Sequence, residues 1–371
     1  MKKTPLKEQE CPQENAEKEA RHECEKEKPK QLRPIYNKMD RKARNDYKEW
    51  AQVLLPDNFC LTDNYDRVVS AISKIRTLIG KKKYINFNTI REMDIAAALM
   101  LAAELEVSKI KSKTSQMMAH DSDWDPKVKI LLGQMGFLEL LAADSKISSH
   151  TKPSKNQIFV KFHSGHKLIG ETTKQMVDDL QQHMITGKLA PELRLYLYVG
   201  IFEAIVNTHQ HAYKNKGSDA ELNRWWISAS IDTQTNEIKI VCYDRGETIP
   251  KTIQNSREKS IAIKSFLQDT CSRPSDGEVI VAAIKRKTYS TKLNNRGVGL
   301  SELLRLIDVN QQGVLRVYSG TGMAEFNRSL KTKKEPCVFH KLSQKMRGTL
   351  VEWSITPSLS TMESFQNDIT H

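Results

Sequence analysis

The sequence predicts an α/β protein, and three observations predict it. Stretches of two-residue apolar alternation are interleaved with stretches at helical spacing along most of the chain. The polar segments Asp232–Asn236 and Ser319–Gly322 stand between β-prone runs and read as hairpin turns. A long apolar helix opens on Pro191, where the missing N–H of proline costs nothing. The same patterning divides the chain into a charged tail (1–50), a small α/β domain (61–144), a linker (145–156), a larger α/β domain (157–357) and a C-terminal tail (358–371).

Each element has its own signal. Residues 1–50 hold 14 basic and 11 acidic side chains and few apolar ones, too few to bury a core of their own. In the small domain, Val68, Val69, Ile72, Ile75 and Leu78 recur at helical spacing, and Tyr84–Phe87 alternates like a strand. Ile95–Glu106 is alanine-rich with high helix propensity, and Val128–Leu141 reads as a helix started by Asp125-Pro126. The polar run 145–156, with Pro153, reads as the linker. Beyond it a strand (Ile158–Phe162), a helix around Met176–Ile185 and the long helix from Pro191 to about Lys214 are expected. Paired strands Trp225–Ile231 and Glu237–Tyr243, a hairpin over Val314–Phe326 and a closing strand Thr349–Ile355 follow.

Composition narrows the function classes. Across 371 residues, 58 Lys and Arg oppose 45 Asp and Glu, leaving +13, with 39% apolar residues. No stretch approaches the roughly 18 apolar residues a membrane span needs, and no apolar signal core follows Met1-Lys2-Lys3, so a cytoplasmic location is expected. Six cysteines lie scattered without CxxC or Cys/His spacing, which indicates neither a disulfide framework nor a zinc site. The basic blocks 81–83, 285–287 and 331–334 serve either solubility or phosphate handling, and no RNP or zinc-finger pattern singles out nucleic acid. Trp225-Trp226 reads as core rather than a base-stacking platform, and His163 and His166 as loop histidines.

Three motifs carry chemistry. Glu203, Asn207 and His211 recur every four residues on one helical stripe; such a stripe either faces solvent or offers an amide oxygen to phosphate-bound Mg²⁺ and a carboxylate to a nucleophile. The strand ending in Asp244-Arg245-Gly246-Glu247-Thr248 is either an ordinary turn or a carboxylate at a sheet margin that accepts from a ring amine. Arg296-Gly297-Val298-Gly299-Leu300 sets two glycines before a helix, where backbone N–H groups bind anions. Lys292 and Arg296 either touch phosphates or keep a loop soluble.

In this order and spacing, from about Ile158 to Ile355, the motifs resemble the GHKL (Bergerat-fold) ATP-binding domain of histidine kinases, MutL and type II topoisomerases. The resemblance implies a two-layer sandwich, with helices on one face of a mixed, mostly antiparallel sheet, binding ATP and Mg²⁺. It implies that Glu203–His211 is the N box, with Asn207 the Mg²⁺ ligand and Glu203 the base or water-positioner. Asp244 becomes the adenine-amine acceptor in the first glycine box, which also holds Gly246 and Thr248, with Gly246 making room for the base. Gly297 and Gly299, flanking Val298 and followed by Leu300, become the phosphate cradle. Thr349 supports Asp244 through its hydroxyl and a bound water, and residues 250–296 form a lid. The sequence departs from the pattern at Thr248 and Asn295, where the boxes often carry glycine.

The His-acid pair His22-Glu23 lies in the charged tail without apolar spacing, which argues against a sensor histidine kinase. The string Glu203–Lys214 is similar to the N box of anti-sigma-factor serine kinases, which phosphorylate STAS-domain proteins. Residues 86–94 resemble weakly the strand-to-helix segment of STAS domains, although Asp94 is followed by Ile95-Ala96-Ala97 and not by a serine. Two expectations follow: transfer of phosphate from ATP to Ser or Thr of a protein partner, or an ATP-gated interaction switch with slow turnover or none.

Overall fold

The computed structural model describes residues 51–113, 117–119, 124–141, 156–167, 170–184, 187–213, 220–256, 260–261, 263, 265, 267, 274–285, 299–329, 337–357 and 362–363. The N-terminal tail 1–50 and the linker 145–155 lie outside them. Residues 52–371 form a single compact unit.

Its first part runs β1 (Ala51–Leu54), β2 (Asn58–Phe59), α1 (Tyr65–Thr77), β3 (Lys83–Asn86), β4 (Glu92–Met93), α2 (Ile95–Ser112), β5 (Met117–Met118) and α3 (Pro126–Gln134). Strands β1, β3 and β5 form one small sheet, and β2 pairs parallel with β4. Helix α2 is capped by Asp94, whose Oδ1 accepts from the Ala97 N–H at 2.7 Å and Oδ2 from that of Leu61 at 2.6 Å. Because α2 is apolar nearly all round, it is buried nearly all round, and it is the central post of the molecule. The helix expected to run through to Leu141 instead stops at Gln134. Gly136, at φ 79°, turns the chain into a short 3₁₀ segment, Phe137–Leu140.

The second part continues β6 (Gln157–Gly165), α4 (Gly170–His183), β7 (Lys188–Leu189), α5 (Pro191–Asn207), β8 (Trp225–Asp232), β9 (Ile238–Asp244), α6 (Ile249–Gln254), α7 (Asp276–Lys285), α8 (Gly299–Asn310), β10 (Gly313–Arg328), β11 (Cys337–Ile355) and β12 (Met362–Glu363). Five strands form a sheet in the order β10-β11-β9-β8-β6, and every pairing in it is antiparallel, so the expected mixed character is absent from it. The expected hairpin at Ser319–Gly322 is one continuous strand with bulges on either side of Gly320. The glycines serve packing: a Cβ on Gly320 would lie 2.5 Å from Asp276 Oδ2, and one on Gly322 2.3 Å from the Gly277 nitrogen. The start of α7 sits in that notch, with Asp276 accepting from both the N–H and the hydroxyl of Thr321 at 2.8 Å. The hairpin is formed by β10 with β11.

The two faces of this sheet follow from strand parity. Ile227, Ala229, Ile240, Cys242, Val351 and Trp353 face a helical layer of α4, α5, α7 and α8. Trp226, Val241, Tyr243, Tyr318 and Leu350 face the other way and join the core built on α1 and α2. The sheet is therefore covered on both faces, where helices on one face alone were expected.

Candidate functional site

Odd and even positions of β9 separate two environments at its end. Asp244 continues the parity of Ile238, Ile240 and Cys242 and faces the helical layer; Arg245, just past the strand, reaches toward α2. On the helical side, Asp244 stands in the wall of a cavity of about 70 Å³. Asn207 and His211 come to that wall from the end of α5, Leu300 from the first turn of α8, and Thr349 and Val351 from β11. Elements far apart in the sequence thus bring part of each of the three motifs to one space.

The local structure of each motif explains how it gets there. Helix α5 ends at Asn207 and passes into a π turn over Thr208–Ala212, a widening common at functional sites. The helix expected to reach about Lys214 is therefore α-helical only to Asn207. Tyr213 anchors the end of this segment: its hydroxyl donates to the Arg224 carbonyl at 2.9 Å and accepts from the Arg245 N–H at 3.0 Å. The Asn207 amide nitrogen is buried and has no hydrogen-bond partner among the described residues. A buried amide left unpaired costs stability unless a ligand or water satisfies it.

Asp244 is 6% exposed. Its Oδ1 accepts from the Gly246 N–H at 2.7 Å, and the Thr349 backbone also donates to it. Burial outweighs these bonds and pushes the carboxyl up to about 7. The Thr349 hydroxyl, expected to serve Asp244, instead bonds Ser319 Oγ at 2.9 Å, while Ser319 Oγ accepts from the Ile249 N–H at 2.9 Å and so fixes the start of α6. Thr349 supports Asp244 through its main chain.

Gly246 does not line the cavity. A Cβ there would fall 2.3 Å from the Ala212 carbonyl oxygen, so the missing side chain admits the π turn rather than a ligand ring. The neighbouring Glu247 N–H then donates to that carbonyl at 2.7 Å. Thr248 caps α6, its Oγ1 accepting from the Lys251 N–H, and it faces a second recess instead of this cavity. Glu203, one turn before Asn207, lies outside the cavity wall; burial first, and Glu302 second, raise its carboxyl above the ordinary range. Lys292, Arg296, Gly297 and Val298 lie outside the described residues. Gly299 opens α8, with Leu300 beside it in the cavity wall. Of the expected lid, α6 and α7 are described.

Among the described residues no group of three or more His, Cys, Asp or Glu side chains is placed to hold a metal ion. An ion here would need ligand oxygens from a bound molecule, a requirement that Mg²⁺ with phosphates meets. Sequence reasoning missed the apolar walls, Ile253 and Leu303 among them, whose periodicity reads only as core. The chain matches no protein-family model and no curated protein.

Proposed function

We propose that this chain binds Mg-ATP in the cavity between β9, α5 and α8. The observation that supports this most is the convergence of Asp244, Asn207 and Leu300 on one concave space lined mainly by apolar side chains. In this reading the buried Asp244 carboxylate accepts from the adenine amine while apolar side chains such as Ile253 and Val351 flank the ring. The unpaired Asn207 amide turns its oxygen to Mg²⁺, and the start of α8 faces the phosphates with its free N–H groups. Bound Mg²⁺ neutralises phosphate charge; the protein supplies position and a dry, preorganised wall.

Two uses of bound nucleotide follow. One is phosphoryl transfer to a Ser or Thr of a protein partner, for which Glu203 is the proposed base. The other is a conformational switch, and one observation favours it: Arg245, the residue after Asp244, is ion-paired with Glu104 of α2 at 2.8 Å, so the strand end that touches the ligand is tied directly to the first part of the molecule.

Titration with ATP and ADP, with and without Mg²⁺, tests the reading. We expect Asp244→Ala to weaken both nucleotides by at least about tenfold, since an adenine hydrogen bond to a charged group is lost. Asn207→Ala should abolish the Mg²⁺ dependence while leaving metal-free binding nearly intact. Binding unchanged by both substitutions overturns the assignment. Labelling of a protein substrate from ATP, lost in Glu203→Ala, selects transfer over switching.

A further inference from the structure

On the other side of the Asp244–Thr248 loop lies a second, wider recess of about 710 Å³, at the seam between α1, α2 and β11. Among the described residues six cations line it: Arg76, Lys111, Arg245, Lys251, Lys345 and Arg347. The carboxylates that oppose them number two among the same residues. Glu104 is shared between Arg76 at 2.7 Å and Arg245 at 2.8 Å, and Glu247 pairs with Lys251 at 3.0 Å. Among the described residues Lys111, Lys345 and Arg347 have no carboxylate within ion-pair distance.

Arg347 shows that this surplus is built into the fold. Its Nε donates to the Arg245 carbonyl at 2.9 Å, which holds the guanidinium beside two other arginines on an otherwise exposed side chain. Its charged form is disfavoured there by burial and by Arg245 and Arg76. A fold that crowds three arginines around one carboxylate pays in stability for that arrangement, and a multivalent anion is what relieves it.

We propose that this recess is a binding site for a polyphosphate-type anion, distinct from the nucleotide cavity and recognised by Arg347, Lys345 and Lys111. Nucleic acid is disfavoured as the source of the phosphates. Single-stranded chains are held by series of aromatic platforms, and among the described residues Tyr213 is the one aromatic side chain lining the recess. The proposal does not depend on ATP binding, because none of the three recognition residues lines the first cavity.

Calorimetric titration of the full chain with inorganic tripolyphosphate at low salt tests it. We expect binding that weakens as salt is raised. Arg347→Gln should weaken it at least about tenfold, through loss of charge-assisted bonds. Since Arg347 also holds the Arg245 carbonyl, the double variant Lys111→Ser, Lys345→Ser, at two exposed positions, gives an arm that leaves that bond in place and should also weaken binding. Asn207→Ala and Asp244→Asn should leave it unchanged. The assignment is overturned by absence of tripolyphosphate binding, by loss in the Asn207 and Asp244 variants instead, or by tighter binding of a uridine oligonucleotide through the same residues.

Discussion

Asp244 concentrates the chemistry of the candidate site in one group whose protonation state the fold controls. The unfolded chain releases this proton near the ordinary carboxylate value of 3.8, whereas the folded chain holds it up to about 7. In the window between, the native state binds more protons than the unfolded state, so stability from this group falls as pH rises through it. A ligand amine donating to the carboxylate favours the charged form and reverses the preference. Binding should therefore release a proton below about pH 7 and tighten as pH rises toward it. Adenosine is the ligand to use, because it carries no titrating phosphate. We expect its affinity to fall up to about tenfold per pH unit below that value, and to become flat with pH in Asp244→Asn. An affinity in the native protein that is itself flat between pH 5.5 and 7.5 would show that Asp244 is not the acceptor.

At the scale of elements, the join between the α5 π turn and the end of β9 decides whether the cavity exists. That join depends on Gly246, whose missing Cβ lets the Ala212 carbonyl come close enough to accept from Glu247. Gly246→Ala forces main chain apart at a site with no flexible neighbour to yield. We expect a loss of about 1–3 kcal/mol by urea denaturation, in the range of overpacking. Nucleotide affinity should fall alongside, although Gly246 lines no part of the cavity.

How much of this was legible in the sequence varies by element. The helical stripe of Glu203, Asn207 and His211, the Asp244 strand end and the glycine entrance to α8 could be read because each rests on local periodicity or turn chemistry. The role of Gly246 could not, because the atom it makes room for is 34 positions away in the chain. Strand β10 was misread as a hairpin because glycines that admit α7 carry the same signal as glycines that turn a chain. The first half of β11 went unread because Val338–Lys341 is exposed on both faces and shows no apolar alternation. One available signal was not used: Trp225–Ile231 and Ile238–Tyr243 are nearly continuous apolar runs, the mark of strands buried on both faces.

Burial on both faces makes the first part of the chain a structural wall of the larger sheet, and Glu104 is the point where the two are joined. Its side chain is 0% exposed and lies between Arg76 of α1, 20% exposed, and Arg245 at the end of β9, 5% exposed. Glu106, two residues on, extends the seam by accepting from the Trp226 indole and from Ser164 at 2.8 Å. Neutralising Glu104 strands two guanidinium groups, one of them almost wholly buried, and no other carboxylate pairs with either among the described residues. Breaking a buried pair by removing one partner costs about 3–5 kcal/mol, so Glu104→Gln should lower unfolding stability by about that amount in urea. Arg76→Met should cost less, because Arg245 keeps its partner and the methionine refills apolar space. The comparison also separates a wall from a lever. If α2 only buttresses the sheet, Glu104→Gln lowers stability while the surviving folded protein binds ATP as before. If Arg245 transmits the state of Asp244 to α2, the same substitution changes ATP affinity measured well below the unfolding midpoint. By the reciprocity of linkage, saturating ATP then changes hydrogen exchange along residues 95–112 in the native protein and not in the variant.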